Sequence, residues 1–439
     1  MLMPFNKLTL LELNEINFEY VERYCSKYPK QLRNLSKLLT INSFKTFAES
    51  DYNNLEPWIQ WVSAHTGKTF EEHGIFRLGD MSSAKYQQIY ETLESNGIRV
   101  GAISPMNSIN KLKDPAYFIP DPWTDTKSSS GFWSSNIHEM IKQTVNDNSQ
   151  SKISLKSLII LILALIRFSS LKSYPLYFSL ALSSLRRPWN KALFLDLLLH
   201  DIHKKFLKKE SPDFTSVFFN AGAHIQHHYF FNSEFYDGNN KNPAWYIHSK
   251  FDPLFDMLKV YDFILESYIE DKNRKFLLAT GLTQIPFEDR IFYYRLKNHE
   301  YFLKKIGLKF EKVMPRMTRD FLIIFGNKHD KENGHKLLNS LINKNNSKPL
   351  FGEIENRENS LFVTLTYPDE ITTSTTFSSE DLSIQLFNDI VFVALKNGKH
   401  CSDGYLFSNF ALDKQLELNS RFHIKELFNI IVGFFKTVA

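Results

Sequence analysis

The stretch SPDFTSVFFNAGAHIQHHYF, residues 211–230, decides how the rest of the chain is read. Its middle, SVFFNAG, is a strand candidate, and it runs straight into a segment with three histidines, His224, His227 and His228. The same unit recurs on either side. KLTLLELN, from Lys7, is a short apolar run ending in polar residues, and EINFEYVERYCSKY after it has helical spacing. SAKYQQIYETLESNGIRVGAISPM reads as a helix closed by Asn96-Gly97 and then a strand, with Gly97 suited to the left-handed position after a helix C-terminus. PLFDMLKVYDFILESYIED is a strongly periodic helix that leads into the strand KFLLATG. Alternation of this kind predicts an α/β fold with a mostly parallel sheet flanked by helices. In such sheets ligands bind beyond the C-terminal ends of the strands. That directs attention to Asn14-Glu15, to residues 220–228 and 280–284, and to the region of His400.

Two regions break the alternation. Residues 127–211 are polar, then helical and Leu-rich, and read as a helical insertion or cap on a core made of 1–126 and 212–439. Residues 330–360 are Asn/Lys-rich and loop-like around one helix, after which SLFVTLTY and NDIVFVALKNGKHCSDGYLFSN are expected to return to the sheet.

The 439 residues suffice for a sizeable core, and 43% hydrophobic with 23% charged residues is ordinary for a soluble globular protein. The net charge of +5 is spread along the chain without a Lys/Arg block, which argues against nucleic acid as a partner and leaves room for anionic substrates or an anionic membrane surface. Two cysteines, Cys25 and Cys401, exclude a disulfide framework and a thiolate zinc cage and fit a reducing compartment. The N-terminus lacks a basic region followed by a long apolar run and reads as a first strand, so a cytoplasmic location is expected. LKSLIILILALIRF, from Leu155, is too short to span a bilayer, which takes about 20 residues. It reads either as a buried helix or as an interfacial one, flanked by Lys152, Lys156 and Arg167 and followed by Lys172, giving peripheral contact with the inner face of the membrane.

Five segments, in order, resemble the alkaline phosphatase superfamily, in particular its type I phosphodiesterase/nucleotide pyrophosphatase branch: SAHTGKTFEEHGI, IYETLESNGIRVGAISPMNS, SPDFTSVFFNAGAHIQHHYF, PLFDMLKVYDFILESYIEDKNRKFLLATG and GKHCSDGYLFS. The resemblance implies an alkaline-phosphatase-like fold and a hydrolase acting on a phosphate-containing substrate. In that family two divalent metals activate a Ser or Thr nucleophile, and the clamp needs clustered carboxylates and histidines. Here the first-strand Asp falls on Asn14, the nucleophile on Pro57, the Asp of Asp-x-x-x-His on Ala223, and the Asp-His pair near Gly281-Leu282. His227 and His400 alone match ligand positions, leaving a single zinc ion with His224 or His228 added. Register slippage would instead offer Ser50, Ser63 or Thr66 as nucleophile.

Chemistry that needs no metal is also expected from the sheet edge. Glu15, Glu56, His65 and His227 are candidates for acid–base catalysis, with Asn14, Gln60 and His224 contacting substrate. Glu15 has a second reading, as a charge favouring the N-terminal turn of the next helix. His73 reads as holding a turn, and Asp80 as a helix N-cap or a site residue. Arg295 and Arg319, with Lys297, His299 and Arg316, form either an anion pocket or a solvated helix face, and Tyr293 and Tyr294 either stack on a ligand or belong to the core. Two further functions stay open beside the hydrolase, each on a small-molecule or glycan substrate. One is a metal-independent glycosyl or phospho-group transferase in surface-glycan assembly, and the other is a non-catalytic binding protein.

Overall fold

A computed structural model describes residues 7–146, 154–315, 319–412 and 421–436. The chain forms two compact units, residues 1–286 with 398–439, and residues 287–397.

The first unit is a mixed α/β layer structure around an eight-stranded sheet. Its strands are β1 (Leu8–Leu13), β2 (Asn42–Phe47), β3 (Val100–Ile103), β4 (Tyr117–Ile119), β5 (Phe214–Phe219), β6 (Lys275–Ala279), β7 (Asp403–Ser408) and β8 (Arg421–His423), in the spatial order β8-β2-β7-β6-β1-β5-β3-β4. β1 lies at the centre, parallel to β5 and β6, with Leu11 opposite Val217 and Leu278. All six of its residues are buried, as in a parallel strand covered on both faces. β7 is the antiparallel member, between β2 and β6.

Helices cover both faces. Phe18–Lys27, Asn190–Glu210 and Pro253–Ile269 pack through Tyr24, Leu197 and Tyr261 into one core, and Pro57–Thr66, Ile89–Ser95 and Glu426–Lys436 pack through Trp61, Tyr90 and Ile431 into another. Gly97 closes the Ile89–Ser95 helix with φ of 78°, the conformation its sequence context predicts. The chain direction sets where function can sit. Parallel β1, β5 and β6 end on the same edge, and antiparallel β7 begins there, so Glu15, Asn220, Thr280 and the residues just before Asp403 are delivered to one place.

The Leu-rich region forms four helices, Phe132–Asn146, Leu155–Phe168, Tyr174–Ser183 and Asn190–Glu210, all within the first unit. The Leu155–Phe168 helix is buried on one side and exposed on the other.

The second unit is built on a four-stranded sheet in which Ser360–Thr364 lies between Glu353–Arg357 and Asp320–Ile324, with Lys312–Pro315 at the edge. SLFVTLTY, expected in the main sheet, therefore belongs to a separate antiparallel one. Of NDIVFVALKNGKHCSDGYLFSN, the part that pairs in the main sheet is Asp403–Ser408.

Candidate metal centre

β1 ends at Leu13, and the next two residues are held by both neighbouring strands. The Asn14 N–H donates to Phe219 O (3.1 Å) and the Glu15 N–H to Thr280 O (3.0 Å). Glu15 adopts φ of 63°, a left-handed conformation that costs a non-glycine residue roughly 1–3 kcal/mol and persists only where surroundings over-determine it. They do so here: the Glu15 carbonyl accepts from the Gln284 N–H (3.2 Å) and from Gln226 Nε2 (2.7 Å). The turn throws the carboxylate sideways across the sheet edge, 1% exposed.

Side-chain amides then fix the carboxylate. Asn14 Nδ2 donates to Glu15 Oε1 (3.0 Å) and to Asn220 Oδ1 (2.8 Å), while Asn14 Oδ1 accepts from the Trp61 indole (2.8 Å). Gln284 Nε2 donates to Glu15 Oε2 and to the Ala223 carbonyl (3.1 Å). Gly398 makes room for this arrangement, because a Cβ there would lie 2.2 Å from Gln284 Oε1 and 2.8 Å from the Gln226 carbonyl.

Two imidazoles close on the same carboxylate oxygen. His227 arrives on the helix Ala221–Tyr229 that follows β5, and His400 on the strand Ile390–Cys401 just before β7. Glu15 Oε2 is 3.2 Å from His227 Nε2 and 3.2 Å from His400 Nε2, and the two Nε2 atoms are 3.2 Å from each other. Protons satisfy this triangle poorly while Glu15 is ionised. If both nitrogens carry hydrogen, two N–H groups oppose each other; if one does not, its lone pair faces the carboxylate. A central cation satisfies all three edges. Tetrahedral zinc with bonds of about 2.0–2.1 Å separates its ligand atoms by about 3.3–3.4 Å, close to the spacing found. This is the only group of three or more such donors among the described residues.

The same contacts shift the charge on these groups. Burial pushes the Glu15 carboxyl up, but His400 and His227 outweigh it and hold it well below the usual carboxylate range. Burial likewise opposes charge on His400, and the Glu15 carboxylate overcomes it, so His400 is raised. Glu56 stands at the rim, with Oε2 3.7 Å from His400 Nδ1 and its side chain 34% exposed. It is the N-cap residue of the Pro57–Thr66 helix, which has Pro57 in its first turn. The Leu55 carbonyl is within hydrogen-bonding reach of the His400 ring, which fixes the ring's orientation.

Several expected site residues lie elsewhere. His65, expected as a catalytic group, is 1% exposed; its Nε2 meets Glu12 Oε1 (3.1 Å) and its Nδ1 meets Ser108 Oγ (3.0 Å), so both nitrogens are engaged beneath the sheet edge. Gln60, expected against substrate, is fully buried and donates to the Asn54 carbonyl (2.9 Å). His224 and His228 meet edge to face, centroids 4.7 Å apart, and neither joins the triangle. The third ligand position is filled by Glu15 instead. Ser63 and Thr66 bond within their own neighbourhood, to His73 and to the Val62 carbonyl, and Ser50 lines a groove with Glu49 and His423. His73 does hold its turn, accepting from the Ile75 N–H at 3.0 Å. Asp80 is preceded by Gly79 as N-cap and accepts from the Arg77 N–H (3.2 Å).

Arg295 and Arg319 belong to the second unit, as do Lys297 and His299, while Arg316 is outside the described residues. Arg319 lies over the Tyr293 ring at 4.2 Å, and Tyr294 is buried with its hydroxyl accepting from the Ile371 N–H.

Sequence reasoning missed Gln284, Asn220, Gln226 and Gly398. The first three fall in or beside the strand-end segments singled out above, but nothing local marks an amide as a carboxylate clamp.

No protein-family model matches the chain, and no curated protein does. Solved structures of alkaline phosphatase superfamily members match it along almost its whole length. Murine ectonucleotide pyrophosphatase/phosphodiesterase 5 is similar over 98% of this chain and 95% of its own, at 10% identity and a TM-score of 0.45. Phosphonoacetate hydrolase from Sinorhizobium meliloti 1021 covers 97% and 94%, at 10% identity and 0.37. Alkaline phosphatase from the Antarctic bacterium TAB5 covers 99% and 98%, at 11% identity and 0.40. This is the superfamily that the sequence segments resemble.

Proposed function

We propose that this protein is a divergent phosphoryl hydrolase that binds one zinc ion through Glu15, His227 and His400 and cleaves a small phosphate-containing substrate with water as the attacking group. The observation that carries the reading is the 3.2 Å triangle of donor atoms at the C-terminal edge of the sheet. One carboxylate and two imidazoles are a donor set of catalytic zinc, with a fourth position left for the reaction. The phosphate class comes from the resemblance of the segments around residues 63–75, 211–230 and 398–408.

When bound, zinc supplies Lewis-acid polarisation of a phosphoryl oxygen. The chain's own residues do the rest. Pro57 has no hydroxyl, so attack falls to water. Glu56 is placed to take the proton from that water as the new P–O bond forms and to return it to the departing oxygen as the old bond breaks. Glu15 is kept ionised by its imidazole partners, and the Asn14 and Gln284 amides hold it in place.

The test is hydrolysis of bis-p-nitrophenyl phosphate and p-nitrophenyl phosphate by the full chain, with zinc and after chelation. Turnover that is lost with the metal and with His227→Ala supports the reading; zinc-loaded protein that cleaves neither ester sinks it. Hydrolysis that survives chelation would move the reading to metal-independent acid–base chemistry, in which Glu15 and Glu56 flank His400 as a relay.

A further inference from the structure

The helical hairpin after residue 154 has one apolar side too many. In Leu155–Phe168, Ile160, Ala164 and Phe168 turn inward, and in Tyr174–Ser183 Tyr177 and Leu180 do. Both helices pack by these faces on Asn190–Glu210. The opposite stripe of the first helix, Leu158, Ile159, Ile162, Leu163 and Ile166, repeats at helical spacing and is exposed, Ile166 at 69%. It continues through Leu171, along the second helix at Phe178 and Leu182, and into the turn after it at Leu185, exposed at 71%, 62% and 85% for the last three. Soluble surfaces scatter single apolar residues; a contiguous patch of this kind marks a binding face.

Charge says what covers it. From Leu155 to Leu195 the chain has no Asp or Glu, yet it has Lys156, Arg167, Lys172, Arg186, Arg187 and Lys191, in a protein otherwise nearly balanced at 53 basic to 48 acidic residues. Lys156, Lys172 and Arg187 pair with Glu139, Glu266 and Asp256 from neighbouring helices. Arg167, Arg186 and Lys191 have no ion pair among the described residues. Arg186, at the end of the apolar stripe, also lines a groove of about 400 Å³ with Lys250, His248, Trp189 and Tyr246, a mixture of cations and amphipathic rings suited to the headgroup level of a bilayer. A protein partner would need acids to match this rim and an apolar face to match the stripe; an anionic bilayer presents both without further design. The helices have 14 and 10 residues, and no helix among the described residues is long and apolar enough to cross a membrane.

We propose that the face formed by Leu155–Leu185 docks this protein on an anionic membrane surface, its helices lying in the interface with the basic residues at headgroup level. The test is co-sedimentation of the full chain with phosphatidylcholine vesicles, with and without phosphatidylglycerol, alongside light scattering for the oligomeric state. The wild type is expected to pellet with the phosphatidylglycerol vesicles and to be released by salt. Replacing Ile166→Glu and Phe178→Glu together is expected to lower partitioning about tenfold or more, and Arg167→Ser with Arg186→Ser and Lys191→Ser about 100-fold, with unchanged melting temperatures because all five side chains are exposed or at the rim. The proposal is overturned if the anionic vesicles leave the protein in the supernatant, if neutral vesicles bind it equally, if the double glutamate variant binds like the wild type, or if the wild type is a dimer that this variant converts to a monomer without vesicles having bound either.

Discussion

Glu15 Oε2 and His400 Nε2 meet at 3.2 Å, brought there by a central parallel strand that ends at the sheet edge and an antiparallel strand that begins at it. Glu15 reaches the contact only by adopting a left-handed backbone. The strain and the donor geometry are therefore the same feature, and each can be tested through the other.

Glu15→Asn should separate them. Asn tolerates the left-handed region better than Glu, which offsets part of the cost of taking the carboxylate from the Asn14 and Gln284 amides, so the metal-free variant should fold with a loss of about 1–3 kcal/mol against the wild type. It should lose the metal, having exchanged an anionic ligand for a neutral one. Zinc stoichiometry by mass spectrometry should fall from one per chain toward zero, and chelation, which should lower the wild-type melting temperature, should leave the variant's unchanged. His224→Ala should keep full stoichiometry, because His224 lies outside the triangle. Zinc retained by Glu15→Asn would remove Glu15 from the ligand set.

Glu56→Gln keeps the shape of the rim and removes its base. The expected loss in kcat is about 10²–10⁴-fold, the usual range for a positioned proton acceptor, with zinc content unchanged. A loss of zinc with a small loss in kcat would show instead that Glu56 acts through His400, whose Nδ1 lies 3.7 Å away.

His65→Ala should damage the fold without touching the centre. It leaves Glu12, near the end of β1 and fully buried, with no imidazole partner, and Glu12 Oε2 already has no hydrogen-bond partner among the described residues. Leaving a buried acceptor without its partner costs about 1–3 kcal/mol. Denaturant unfolding should show a loss of that size, and Glu12→Gln with His65 intact a smaller one.

The strands β1, β5 and β6 and the convergence of the Glu15, His227 and His400 segments were legible because apolar runs and strand direction put their ends on one edge, and the resemblance picked out His227 and His400 within them. The third ligand was not. In sequence His224 and His228 look like natural company for His227, but their rings meet each other, centroids 4.7 Å apart, and neither offers an atom to the triangle. His65 was misplaced for a related reason: all but one residue of the Pro57–Thr66 helix is buried, so its periodicity does not say which side faces the ligand. No boundary was visible at Pro286, because the chain crosses from one unit to the other within the strand Thr283–Leu296, with no turn or change in composition to mark it.

Asp196 gives a prediction in pH. Its carboxylate sits at the start of the helix that carries His227, accepting from the Ala221 N–H (2.9 Å), the Tyr261 hydroxyl (2.8 Å) and the Asn220 N–H (3.3 Å). Burial nevertheless dominates and pushes its pKa up to about 7, against 3.8 for a free side chain. The folded state then binds more protons at this site than the unfolded one, so the contribution to stability is greatest below the unfolded value and is lost as pH rises toward the folded one. A shift of this size corresponds to a loss on the order of 4 kcal/mol across that window. Asp196→Asn cannot ionise. It should cost about 1–2 kcal/mol at acid pH, where it surrenders a good acceptor, and gain on the wild type steadily as the pH approaches neutrality. Urea unfolding of both proteins across that range measures the difference directly, with all other titrating groups in common. Parallel curves would show that Asp196 stays ionised in the fold, held by its three donors and the N-terminal end of the helix.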